Sequence, residues 1–182
     1  MRNWIQTRTG VAFDLINPTP DMVRIEDIAN SLAFQSRFNG HTGSSYSVAE
    51  HSVFVSRYCP PQDRLWGLLH DAHEAYVGDI VSPVKALIPG FKEIEGRIQN
   101  AICDKFGIPR KCPRSVKLAD NRLLLTEKEV FFPAEAGDWG VEGEPYGSCR
   151  LCRYEPRAAR EFFMWEFHWL TRGEEDAIKY DW

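Results

Sequence analysis

The chain has 182 residues, of which 43% are hydrophobic and 26% charged, with a formal net charge of −4 and a pI near 5.8. Those values fit one soluble globular domain large enough to bury its own core. They give no basic footprint for duplex nucleic acid, and the apolar runs are too short to cross a bilayer. Five cysteines, an odd number, fit free thiols better than a disulfide framework. Cys149 and Cys152 form a Cys-x-x-Cys, but with no second pair or nearby His, and with Cys112 only a distant candidate, structural thiols are expected rather than a zinc clip or redox pair. The opening MRNWIQTRTGVAFDL lacks the apolar core of a secretory signal, so cytoplasmic residence is the expectation.

In chain order, WIQTRT and VAFDLI flank Gly10 and read as a small β-hairpin or extended arm. Ile25, Ile28, Ala29 and Leu32 then recur at helical spacing up to about Gln35. The loop SRFNGHTGSSY follows, with Arg37, Phe38 and His41 embedded among glycines and serines. Such a loop can meet an anionic, planar ligand, or can tuck Phe38 inward as a plain surface turn.

Ser47 and Glu50 form a Ser-x-x-Glu capping box at the head of a helix that turns His51 inward and stops at Pro60-Pro61. The next stretch, LWGLLHDAHEAYVGDIVSPVK from Leu65 to Lys85, reads as a central helix from about Pro61, apolar nearly all round, yet holding His70, Asp71 and Glu74. His70 and Glu74 share a face, and Asp71 lies about 100° around. A buried carboxylate is costly unless paired, protonated or bound to a cation.

Gly78 is a candidate C′ residue, and Ser82-Pro83 an N-cap and N1 pair for a short segment through Leu87. A longer helix runs from Phe91 to Gly107. Another runs from Ser115 to about Phe131, with Val116, Ala119, Leu123 and Val130 on its buried side and Asp120 beside that stripe. The segment 133–155, rich in Gly and acid, reads as a long excursion, a lid or an edge hairpin. Pro156 opens a final helix to about residue 172, whose wide aromatic face suits core or subunit contact. No internal repeat is present.

His51, the His70-Asp71 pair and Asp120 thus lie on three successive inward-facing helices. Two imidazoles and two carboxylates make a mixed N/O shell suited to one Mn, Co, Zn, Fe or Mg ion. No His falls between Glu74 and Ala119, which disfavours a second ion.

The order H…HD…D, together with YSVAEHS (46–52), LLHDAHEAYVGDI (68–80) and SPVK (82–85), resembles the HD-domain metal-dependent phosphohydrolases, in particular the 5′-deoxynucleotidases and phage dATP triphosphohydrolases. The resemblance covers about 25–130. It implies an all-α HD-domain bundle, a homodimer and a nucleotide substrate. It also implies His51, His70, Asp71 and Asp120 as metal ligands, Glu74 as acid/base, Asp79 as a residue placing water or substrate, and Arg37 as a phosphate contact. Phe38, His41 and Lys85 are candidate substrate contacts. Phe38 stands where the family commonly has Trp, and the interval from His51 to His70 is shorter than in the deoxynucleotidases. The expected activity is hydrolysis of deoxynucleoside monophosphates. The alternatives are triphosphohydrolysis of dNTPs or a non-catalytic nucleotide-binding module.

Overall fold

The computed structural model describes residues 2–135 and 137–173. It is helical, with a two-stranded antiparallel sheet at the start, β1 (Trp4–Gln6) and β2 (Ala12–Asp14), turned by Gly10 at φ 94°. Phe13 of β2 is fully buried and stacks on Tyr76 at 3.7 Å. The hairpin is pinned to α1 (Ile25–Phe34) by the buried Asp27, whose carboxylate accepts from Thr9 N and Oγ1 at 2.8 and 2.6 Å.

The hub of the bundle is α2 (Val48–Tyr58), which packs against α1, α3 (Arg64–Leu69), α7 (Arg114–Phe131) and α8 (Pro156–Arg172). Its sequence explains this position: Val48, Ala49 and Val53 enter one apolar cluster, and Val55 with Cys59 enters a second. The central place expected for the run after Pro61 therefore belongs to α2. Its closest neighbour is α3, and Gly67 is the reason the two approach. A Cβ at Gly67 would lie 2.9 Å from Cys59 Sγ and 3.0 Å from Ser56 Cα.

The run after Pro61 is also not one helix. A 3₁₀ turn (Pro61–Asp63) leads into α3, which stops at Leu69, and α4 (Glu74–Val77) begins after a four-residue turn. Through that turn the backbone uses the tighter i→i+3 pattern: Ala72 N to Leu69 O, Glu74 N to Asp71 O and Tyr76 N to His73 O, at 2.9 to 3.1 Å. Residues three apart are nearly eclipsed in such a turn, so the α-helical wheel misplaces His70, Asp71 and Glu74 relative to one another. Gly78, at φ 86°, ends α4 with its N–H on Glu74 O, and α5 (Ser82–Lys85) follows with Val81, not Ser82, at its N-cap.

Beyond it α6 (Phe91–Phe106) ends at Gly107, and α7 brings Val116, Ala119 and Leu123 to the second cluster. Val130 departs from its expected burial, being 40% exposed in the last turn; the buried stripe passes instead through Thr126 and Glu127. In α8, Ala159, Phe162, Phe163 and Phe167 cover α1, α2 and α3, while Trp165, Trp169 and Leu170 are half-buried.

Segment 133–155 forms no strand, and so no edge hairpin, among the described residues. It is a strap tied down along α2 and α7. Thr126 Oγ1 accepts from Tyr146 N, Arg122 Nε donates to Glu144 O, and Tyr146 stacks on Tyr58 at 3.7 Å. Glu50 completes the strap: its carboxylate accepts from the backbone N–H groups of Cys152, Arg153 and Tyr154 at 2.7 to 2.9 Å. The expected capping box is consequently half made. Ser47 Oγ accepts from Glu50 N at 3.2 Å, but Glu50 looks away from the helix start. No helix among the described residues is long and apolar enough to cross a membrane.

Candidate metal centre

Three elements bring the site together. His51 comes from the first turn of α2, His70 from the residue that ends α3, and Asp120 from the second turn of α7. His51 Nε2 lies 3.3 Å from His70 Nε2 and 3.3 Å from Asp120 Oδ1, and one ligand atom from each of the three residues lies within 4.8 Å of the others. Asp71 borders this trio, its Oδ2 being 3.1 Å from His70 Nε2 and 3.7 Å from His51 Nε2. His51 is fully buried, whereas the Asp71 and Asp120 side chains are 19% and 20% exposed, so the cluster opens to solvent on its carboxylate side.

The tautomers follow from the partners. His51 Nδ1 is 2.6 Å from a Glu127 carboxylate oxygen, and His70 Nδ1 is 2.7 Å from Gly67 O. Both partners only accept, so both Nδ1 atoms carry the hydrogen, and in neutral rings both Nε2 lone pairs point into the cluster. Two such lone pairs 3.3 Å apart, bordered by two carboxylates, repel one another unless a cation lies among them. Donors around a divalent ion at ~2.0–2.2 Å are spaced by about 3.0–3.4 Å; His51 lies at that spacing from His70 and Asp120, both 3.3 Å, while His70 Nε2 and Asp120 Oδ1 are 3.8 Å apart. The His51, His70 and Asp120 group can hold a metal ion.

The local charges are strongly interdependent. Burial and the nearby Arg37 disfavour His51 as imidazolium, yet Glu127 and Asp120 draw its pKa above the ordinary value. Burial likewise opposes charge on His70, and Asp71 outweighs it. Despite their burial, Asp71 is held well below the usual carboxylate range by His70, His51 and Arg37, and Asp120 below it by the two histidines.

Glu74 behaves oppositely. Burial, with Asp71 and Asp79 adding repulsion, pushes its carboxyl up to about 9. Its Oε1 accepts from Lys85 Nζ at 3.0 Å, while its buried Oε2 has no hydrogen-bond partner. Asp79 is raised too, chiefly by burial, and its own backbone N–H is held by Gln35 Oε1 at 2.8 Å. Gln35 Nε2 donates to Glu74 O at 3.0 Å, so one side chain ties together the backbone positions of both acids.

The four candidate substrate contacts fare differently. Arg37 is buried at the cluster, with Nη1 3.8 Å from Asp71 Oδ2, Nη2 3.0 Å from Glu127 Oε2, and Nε without a partner. Phe38 and Asn39 both take left-handed backbone at φ 53° and 52°, which turns the Phe38 ring to Phe132 and Trp139 at 5.2 and 5.6 Å. His41 is exposed and its backbone N–H donates to Phe38 O, so its position adds nothing to the expectation of a substrate contact. Lys85 is committed to Glu74 and Glu95 at 3.0 and 2.8 Å, and Glu95 also meets His73 at 3.2 Å. No cysteine joins a group able to hold a metal among the described residues.

The residue missed from sequence is Glu127. It lies seven positions after Asp120, two helical turns along the same face, and that spacing was the available signal. Tyr46, adjacent to the capping serine, was missed with it: its hydroxyl donates to Glu127 Oε1 at 2.7 Å.

Fold and site together define a helical protein with a buried His/Asp cluster able to hold a metal ion. The chain is 38% identical over 144 residues to the uncharacterized protein YfdR of Escherichia coli K12, covering 79% of this chain and 81% of that protein. It is 41% identical over 152 residues to an uncharacterized protein of Rhodobacter capsulatus, covering 74% and 78% respectively. The protein belongs to the family of these two relatives. No family model matches the chain.

Proposed function

We propose that the protein is an HD-type metal-dependent phosphohydrolase acting on deoxynucleoside 5′-monophosphates. The observation that carries the reading is the convergence of His51, His70 and Asp120, with Asp71 alongside, while both Nδ1–H groups are engaged elsewhere. That arrangement suits one divalent cation, Mn, Co, Zn, Fe or Mg, with open positions toward solvent. The cation, when bound, supplies polarisation of a phosphoryl oxygen and a water of lowered pKa.

The remaining chemistry belongs to the chain. Arg37 presents its unpartnered Nε and its Nη1 beside Asp71, where a phosphate oxygen can accept from them. Glu74, its carboxyl pushed up to about 9 by burial, has an unpartnered Oε2 with which to pass a proton to the leaving 5′-oxygen; Lys85 on Oε1 fixes the carboxyl plane. Asp79, tethered through Gln35, lies near enough to Arg37 and Asp71 to be influenced by both, and orients water or the sugar. With Lys85 occupied by two glutamates and Arg37 beside the cluster, the cationic complement favours one phosphate over three.

The deciding test is turnover of purified protein on dNMP and dNTP panels with Mn²⁺, Co²⁺ and Mg²⁺, identifying the phosphate species released. Orthophosphate from dNMPs is expected. Triphosphate or pyrophosphate from dNTPs would replace this substrate class with the triphosphohydrolase one. Tight nucleotide binding without turnover under every metal would make the protein a binding module.

A further inference from the structure

Glu127 is fully buried and lies on α7 two turns beyond Asp120, and its carboxylate is shared among three side chains of the site. Oε1 accepts from His51 Nδ1 at 2.6 Å and from the Tyr46 hydroxyl at 2.7 Å; Oε2 accepts from Arg37 Nη2 at 3.0 Å. One rigid planar group therefore orients a metal-facing imidazole and the guanidinium placed beside Asp71. We propose that Glu127 is a positioning residue with two outputs: it fixes His51 as the Nδ1–H tautomer with Nε2 toward the metal, and it holds Arg37 at the spacing an anion needs to bridge guanidinium and metal.

The first output follows from donor and acceptor chemistry. Without an acceptor at Nδ1 the neutral ring is free to carry its hydrogen on Nε2, and that tautomer cannot ligate a metal there. Outer carboxylates of this kind typically change metal affinity 10–100-fold, an order-of-magnitude expectation here. The second output follows from the Arg37 geometry. Arg37 is buried, one terminal nitrogen is spent on Glu127, the other faces Asp71, and Nε has no partner, so its orientation is set by Glu127 and its Nε–H is unspent. Tyr46 is buried as well and braces the same oxygen that receives His51. The two outputs diverge from a single side chain, so metal retention and anion binding are linked through it. The second output rests on the phosphohydrolase reading, because it assumes a phosphate at Arg37; the first does not.

The experiment uses the full-length protein. Glu127→Gln is the main variant: near-isosteric, it keeps one acceptor oxygen for His51 or Arg37 but not both. Glu127→Asp, the conservative rescue, keeps the charge on a shorter arm. Folding is checked by near-UV circular dichroism and Tm. Mn²⁺ affinity is titrated calorimetrically without nucleotide, inorganic phosphate affinity is then titrated on the Mn²⁺-loaded protein, and the His51 tautomer is read from imidazole ¹⁵N shifts of the metal-free protein.

The expected result is a folded Glu127→Gln protein with Mn²⁺ affinity about 10–100-fold weaker, weaker phosphate binding at saturating metal, and an altered His51 ¹⁵N signature, each partly restored in Glu127→Asp. A folded Glu127→Gln protein in which Mn²⁺ affinity and phosphate affinity both equal wild type overturns the proposal. Should Glu127→Gln not fold, Tyr46→Phe with Arg37→Gln reads the same links from the partner side; unchanged Mn²⁺ affinity in Tyr46→Phe together with unchanged phosphate affinity in Arg37→Gln overturns it. Wild-type protein that binds Mn²⁺ but hydrolyses no nucleotide would sink the phosphohydrolase reading while leaving the metal-positioning output standing.

Discussion

Two fully buried glutamates, Glu50 and Glu127, each accept three hydrogen bonds, and they do opposite work. Glu50 takes three backbone N–H groups of the strap and closes the structure over α2. Glu127 takes an imidazole, a phenol and a guanidinium, and so organises the candidate centre. They are reached from neighbouring positions on one helix, since Glu50 precedes His51, yet they lie on different sides of it. The same carboxylate chemistry becomes architecture or site according to whether its donors can do anything else. Backbone amides cannot; His51 and Arg37 can.

The titration behaviour separates the two as well. Burial keeps Glu50 above the ordinary glutamate value despite its three amides. Burial acts on Glu127 too, but Arg37 and His51 outweigh it and hold it below that value. A lowered acid contributes stability above its unfolded pKa and loses it as pH falls through the folded one; a raised acid contributes stability below its unfolded pKa and loses it as pH rises.

The comparison can be broken most severely at the donors themselves. His70→Ala should abolish both metal retention, measured as metal content after dialysis, and turnover. An active, metal-free His70→Ala protein would end the proposed chemistry. Next, Glu74→Gln should keep the metal and lose about 10²–10⁴-fold in rate, the usual scale for a positioned acid. In wild type the rate should fall as pH rises through the Glu74 value, about 9 in the metal-free site and lowered once a cation binds nearby. A flat pH–rate profile with unaltered Glu74→Gln turnover removes that role.

Gly67→Ala probes how the two sides of the site are held together, because the new methyl meets Cys59 and Ser56 at the α2–α3 contact while Gly67 O carries His70. A loss of about 1–3 kcal/mol in denaturant unfolding is expected, with weakened metal binding as His70 moves off its partner. Finally, Glu50→Gln should loosen the strap, costing about 1–3 kcal/mol, but leave Mn²⁺ affinity near wild type. The Tm gap between wild type and Glu50→Gln should widen as pH is lowered toward 4.5, whereas the gap for Glu127→Gln should close as pH falls below 4.5. Gaps that move together would erase the distinction.

Much of this is legible in the sequence. The hydrophobic periods located α1, α2, α6, α7 and α8, and the pairing of β1 with β2 followed from Gly10 between two short β-rich runs. His51, His70, Asp71 and Asp120 could be nominated because charge and imidazole are costly on apolar stripes and therefore announce themselves. Glu127 did not, since a glutamate in the charged run TEKEV looks solvent-facing until the packing of α2 on α7 shows that it is buried.

Composition and periodicity settled what each segment does along its own axis, because helix and turn formation depend on neighbours a few residues away. Which acids meet which donors was decided by the tertiary structure. The turn at 70–73 tightens against the helical wheel, Gly67 lets α3 close on α2, and Glu50 abandons its cap for the strap. Hydrogen bonds and charges in a buried site act over a few ångströms in space, and positions 51, 70, 120 and 127 acquire that proximity only when the helices pack.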